Sequence, residues 1–112
     1  IYRVDPPLSA PTMSTWTIPV APFASLPNDP PALGGYGTVP IESGNALMMS
    51  VYRDGSFWTT HSIAVGVHWG IRWYQIDPTQ VTATPLPRPV IQWGSVGHSS
   101  LHFYMPSLMV NP

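Results

Sequence analysis

Between Ile41 and Asp77 the chain is a proline-free stretch rich in the strand formers Val, Ile, Trp, Tyr, Phe and Thr, and broken by Gly44, Gly55, Gly66 and Gly70. Such a composition favours pleated, half-buried surfaces over helix. Ala46–Arg53 and Ser56–Ile63 flank Asp54-Gly55, a dipeptide that accepts two positive φ angles in succession, so the spacing predicts a tight β-hairpin. Gly44-Asn45 predicts a second turn ahead of it. Further strands are expected at Gly70–Asp77, Pro89–Val96 and His102–Val110, with Gly94 and Pro106 marking a bulge or a boundary. In the first strand Leu47, Met49 and Val51 face one way and Ala46, Met48 and Tyr52 the other. Neither set is polar, so a sheet covered on both faces is expected.

Proline sets the organisation around this ladder. Nine of the 15 prolines lie between Pro6 and Pro40, none between Ile41 and Asp77, and six between Pro78 and Pro112. Proline lacks a donor and is confined to edges, turns and strand starts, so the flanks are expected to be loops with short strand pieces. The chain divides accordingly into a Pro-rich segment, 1–43, and an antiparallel β unit, 44–112. A weak internal repeat crosses that division: Tyr2-Arg3-Val4-Asp5-Pro6 matches Tyr74-Gln75-Ile76-Asp77-Pro78, and each copy leads to a Trp, at 16 and 93. About one and a half repeat units are then present, leaving open strand edges at Tyr2–Asp5 and Tyr104–Val110. The absence of an initiator Met leads us to expect an upstream segment.

The run Ser50-Val51-Tyr52-Arg53-Asp54-Gly55-Ser56-Phe57-Trp58 resembles the hairpin of secreted bacterial β-propeller proteins and, in part, the Asp-box turn of sialidase-type propellers. Asp54, Gly55 and Trp58 match the structural roles. The residue usually found between Asp and Gly is missing, and Tyr52 stands where the pattern prefers Ser or Thr. The stretch Tyr104–Pro112 is similar to an innermost blade strand leading into an Asn-Pro/Gly-type turn. This resemblance implies an all-β, antiparallel, propeller-blade-like fold in an extracellular or cell-surface protein. The alternative is a small β-sandwich or barrel with a Pro-rich N-terminal arm.

Charge removes several function classes. With four basic residues, all Arg, five acidic ones and a net charge of −1, the chain has neither the basic footprint that nucleic acid requires nor a polybasic membrane signal. No apolar run approaches the ~20 residues of a membrane-spanning helix. The absence of Cys excludes disulfides and thiolate sites.

The remaining chemistry rests on His and Trp. His98 and His102 are four apart, but on a strand that spacing puts them ~13 Å apart, too far to share one ion, so no metal and no cofactor are expected. Ser62, Ser99 and Ser100 lie near His residues without a Gly-x-Ser-x-Gly elbow, and Gly34-Gly35-Tyr36-Gly37 lacks the Lys of a phosphate loop. Asp54 and Asp77 read as turn residues, and no catalytic residue is assigned. Most of the five Trp are expected between packed layers. The exception is Trp69, which with His68 occupies an expected loop, Gly66–Gly70, as a ligand contact; His61 is a third candidate, placed to meet His68 across an apolar loop. The reading is a non-catalytic scaffold, assembly or binding module, joined to other chains or missing blades through strand edges, with carbohydrate as a further ligand class. Its alternatives are a fragment of a glycan-processing propeller enzyme and a shell or filament subunit.

Overall fold

The computed structural model describes residues 1–5, 10–41, 45–82 and 88–111, with the backbone alone for 2–5 and 82. The fold is all-β and antiparallel. Strands β1 (Tyr2–Asp5) and β2 (Thr12–Thr15) form a separate two-stranded hairpin. Strands β3 (Leu47–Arg53), β4 (Ser56–Val65), β5 (His68–Ile76) and β6 (Val90–Val96) form a four-stranded meander in chain order. Short 3₁₀ turns occupy Leu33–Gly35 and Pro78–Thr82. Among the described residues no helix is long and apolar enough to cross a membrane.

The turns explain the register. Asp54 and Gly55 both have positive φ, 48° and 73°. A type I′ turn requires that pair of angles, and Arg53 pairs directly with Ser56 across it. The expected hairpin is therefore present. At the next connection Gly66 takes φ 63° and a two-residue turn, Gly66-Val67, joins β4 to β5 with Val65 opposite His68. The expected loop Gly66–Gly70 is thus only its first two residues, and Trp69 belongs to the ladder. After β5, Asp77 Oδ1 accepts hydrogen bonds from the Thr79 amide (2.8 Å) and hydroxyl (2.6 Å). A side chain bonding its own backbone two residues on starts the turn at Pro78. The Thr79 hydroxyl, more than any other contact, holds the Asp77 carboxyl below its ordinary pKa.

One expectation about strands needs correction. Residues 102–110 form no strand, and Met105 takes φ 49°. Pro106 has no N–H to donate, so the segment cannot sustain a ladder. Tyr2–Asp5 pairs with β2 along one side, residue for residue, in a two-stranded sheet. The open edges of the main sheet are β3 and β6. The Gly44-Asn45 turn falls partly outside the described residues, as do Pro6 and the boundary at 43/44.

Cross-strand partners share a face. Phe57, Thr59, His61 and Ile63 of β4 lie with Ile76, Tyr74, Arg72 and Gly70 of β5 on the first face, while Trp58, Thr60, Ser62 and Ala64 lie with Gln75, Trp73, Ile71 and Trp69 on the second. Irregular chain covers both. On the first face the Arg72 guanidinium donates to the carbonyls of Ala21 (3.2 Å) and Pro22 (3.0 Å), while the backbone amide of Ala64, in the plane of the sheet, donates to Ala24 O (2.7 Å). On the second face Arg53 donates to Val110 O (3.2 Å), while Phe103 N–H donates to Trp69 O (2.9 Å). Arg72 and the two Pro-containing segments thereby shield the middle of the sheet from water without further secondary structure. The apolar core comprises Ile41, Ile63, Trp69, Tyr74, Ile76 and Val81.

Candidate functional site

His61 sits at the centre of β4, buried, with its ring engaged at both ends. Asn45 O lies 3.1 Å from Nδ1, and the Tyr74 hydroxyl lies 3.1 Å from Nε2. A carbonyl oxygen only accepts, so Nδ1 donates to Asn45, and Nε2 is then the acceptor that takes the Tyr74 hydroxyl proton. Phe23 from the covering segment packs edge-on against the imidazole, with ring centroids 4.6 Å apart. Burial lowers the His61 pKa; the Asn45 carbonyl opposes that shift and the Arg72 charge adds to it. Burial likewise raises the Tyr74 pKa, with Arg72 opposing it. A neutral imidazole with both nitrogens committed holds the sheet to the Asn45 turn, and neither nitrogen is free for a ligand or a proton transfer.

A pH dependence follows from that neutral state. In the unfolded chain His61 takes up a proton as pH falls through about 6.5, while in the folded chain it stays neutral to a lower pH. The unfolded state binds more protons in this window, so stability is expected to drop as pH falls from about 6.5 toward the lowered pKa, and no further below it. Urea midpoints at pH 7.5 and 5.5 measure this, and His61→Leu is expected to be less stable at both and to show the shallower dependence on pH. An equal or steeper dependence in the variant would count against the assignment.

Beside this pair the first face borders a half-open cleft of about 320 Å³, whose walls include Trp16, Ile18 and Phe23 from the covering segment and Phe57, Tyr74 and Ile76 from the sheet. Asn45 also borders it, and its buried Oδ1 has no hydrogen-bond partner among the described residues.

The other candidate residues lie elsewhere. His61 and His68 do not meet: His61 pairs with Arg72 in the middle of the hairpin and His68 with Val65 at its end. The His68 ring instead faces His102, with centroids 4.7 Å apart, and His102 Nδ1 accepts the Trp69 amide (3.1 Å). Trp69 is not at a loop tip. It is 2 % exposed, its side chain lies on the second face, and Nε1 donates to Asn28 O (3.0 Å). Ladder and side chain together make it an anchor for residues 28 and 102–103, which corrects its assignment as an exposed ligand contact. His98 Nδ1 accepts the Ser100 amide (3.2 Å), and among the described residues no group of three or more His, Cys, Asp or Glu is placed to hold a metal ion. Asp54 and Gly55 form the turn, whereas Trp58 stacks on Trp73 across the second face, with centroids 6.1 Å apart.

Sequence reasoning missed Tyr74, Phe23 and Asn45 as the surroundings of His61. Tyr74 was within reach of it: once Gly66-Val67 is recognised as a two-residue turn, counting back places Tyr74 opposite Thr59, one diagonal step from His61. Nothing local points to Phe23.

Several exposed apolar side chains lie at the two edges. β3 presents Leu47 and Tyr52, and β6 presents Ile91, Trp93 and Val96, with the Arg72 guanidinium 4.6 Å from the Trp93 ring centroid. No family model matches the chain, and no curated protein or solved structure matches it either.

Proposed function

We propose that this chain is a non-catalytic, blade-like β module of a secreted or surface protein, and that it works by assembling with other strands through its open sheet edges. The observation that carries this reading is a surplus of surface. The chain has a mass of 12.3 kDa and exposes 7665 Å². A compact monomer of that mass exposes about 6,100 Å². The radius of gyration is 16.7 Å. About 13 Å is usual for this length. A stable interface takes roughly 800 Å² from each partner, so the excess is of the size that one or two partners would cover.

Other features agree. A four-stranded antiparallel meander is the unit from which propeller blades are built. Here the 17–24 and 101–111 segments occupy the faces that neighbouring blades would cover, which leaves the edges for partners. The net charge of −1 opposes association only weakly. No observation favours a glycan-processing fragment, since Trp69 is turned into the core.

Sedimentation velocity from low-micromolar to high-micromolar concentration tests the proposal. Species heavier than one chain, increasing with concentration, are expected. A compact monomer throughout would sink the reading.

A further inference from the structure

We infer that the β6 edge accepts an extended acidic segment of another protein chain, added antiparallel with a carboxylate opposite Ser95 and an apolar side chain opposite Trp93. This rests on the open edges of the assembly reading and names the chemistry that one of them takes. β3 is the poorer acceptor. Arg53 and Asp54 pair at its end (3.7 Å), and the C-terminal segment reaches it through the Leu108 amide on Met49 Sδ (3.2 Å). Charge and covering chain both discourage strand addition there.

Val90–Val96 contains no charged residue and no proline. The direction of its backbone groups follows from β5. Trp69 turns its N–H and C=O away from β4, to His102 Nδ1 and the Phe103 amide, and the Asp77 amide donates to Pro89 O. Hydrogen-bonded and non-bonded pairs alternate along an antiparallel ladder, so Ile71, Trp73 and Gln75 bond Val96, Gly94 and Gln92. Trp93 and Ser95 therefore turn their N–H and C=O outward, where they meet no partner among the described residues. The register shift between Gln75 and Ile76 ends this regular edge, so the added strand is short.

Ser95 and Trp93 oppose Arg72 and Tyr74, which puts their side chains on the first face. The Arg72 guanidinium reaches over β6: its Nε donates to Ser95 Oγ (3.0 Å), and it lies 4.6 Å from the Trp93 ring centroid. The acceptors held by Nε and Nη1 are Ser95 Oγ and the carbonyls of Ala21 and Pro22, all of them neutral. Among the described residues no carboxylate pairs with Arg72. A cation thus overhangs an open edge without a counter-charge. An identical edge would bring a second cation to it. A Glu on a strand ~4.8 Å beyond Ser95 would instead supply a charge-assisted acceptor. Trp93, 46 % exposed, offers the neighbouring apolar contact. Read from its N-terminus, the partner is an acidic residue, any residue, then an apolar one.

The probes are the peptide acetyl-Thr-Glu-Thr-Val-Thr-amide and its counterparts with Gln or Lys in place of Glu. They are titrated into the isotopically labelled chain while its amide resonances are followed residue by residue. The Trp93 and Ser95 amides are expected to shift, with the Glu peptide bound about threefold more tightly than the Gln peptide and the Lys peptide weakest. The net charge of −1 acts against an acidic peptide at long range, so this order reports the local guanidinium. Arg72→Gln is expected to erase the difference between the Glu and Gln peptides. Because Arg72 also holds the covering segment, Ser95→Pro is the second variant: it deletes an outward N–H, leaves the bonds of β6 to β5 in place, and is expected to abolish binding. The spectrum without peptide reports that each variant is folded. Binding of no peptide, equal binding of all three, or shifts confined to other strands overturns the inference, and a chain that still self-associates in sedimentation then keeps the assembly reading. A chain that sediments as a monomer yet takes the Glu peptide at β6 supports the inference and confines the failure to self-assembly.

Discussion

Replacing Trp69 by Ala is expected to cost about 3–5 kcal/mol, the range for truncating a large buried aromatic, and to remove most of the stability of the fold. The residue is 2 % exposed, so almost all of its apolar area is transferred to water or left facing a void. Loss of the indole also removes the Nε1 bond to Asn28 O, leaving a carbonyl of the Pro-rich segment without its partner. Natural domains hold only about 5–15 kcal/mol in total, and a core whose apolar members include so few large side chains is expected near the lower end. Urea denaturation followed by circular dichroism checks the prediction. A midpoint within error of the wild type would return Trp69 to the role of an exposed ligand contact.

Gly70→Ala is expected to be the next most damaging change, although it adds a single methyl. A Cβ at this position would lie 2.5 Å from Val65 Cγ2 and 2.7 Å from the Val96 carbonyl oxygen. The first contact can be relieved by a side-chain adjustment; the second is backbone of β6 and moves only with the strand. Overpacking of this kind costs about 1–3 kcal/mol. Val65→Ala in the same chain is expected to restore part of the loss but not all, because Val96 O remains. By contrast Gly55→Ala meets open space and answers only to its φ of 73°. That conformation costs a residue with a Cβ about 1 kcal/mol. Thermal midpoints of the single and double variants give the order, and complete rescue by Val65→Ala would contradict the strand displacement.

How far the fold was legible varied with the range of the interactions involved. The hairpin at Asp54-Gly55 depends on two adjacent residues that both tolerate positive φ, so its position and the pairing of Arg53 with Ser56 follow from local chemistry. The Gly66-Val67 turn has similar chemistry but is embedded in the mostly apolar run Ile63–Ile71, where no Asn or Asp accompanies the glycine to mark the reversal. Overlooking it places Trp69 and His68 in a loop that does not exist. For 102–110 the apolar residues suggest a strand, yet one proline and a positive φ at Met105 are enough to remove the ladder. An apolar segment without a ladder can still bury side chains by lying across a sheet.

The candidate site shows the same division more sharply. His61 could be singled out as an unusual side chain in an apolar strand, but its meaning depends on Asn45, Tyr74 and Phe23, which lie 16, 13 and 38 positions away. Burial and two occupied nitrogens turn a residue type associated with proton transfer into a neutral structural bridge.

By itself, then, the sequence determined the strand class, the Pro-free ladder and the turn at Asp54-Gly55, because β-branched and aromatic propensity, the missing proline donor and positive φ all act within a few residues. Only the tertiary structure decided which segments cover each face, that Trp69 is an anchor and His61 a neutral bridge, and that β3 and β6 are the edges left open. Those outcomes depend on which distant groups exclude water from which surfaces, and no local pattern encodes that.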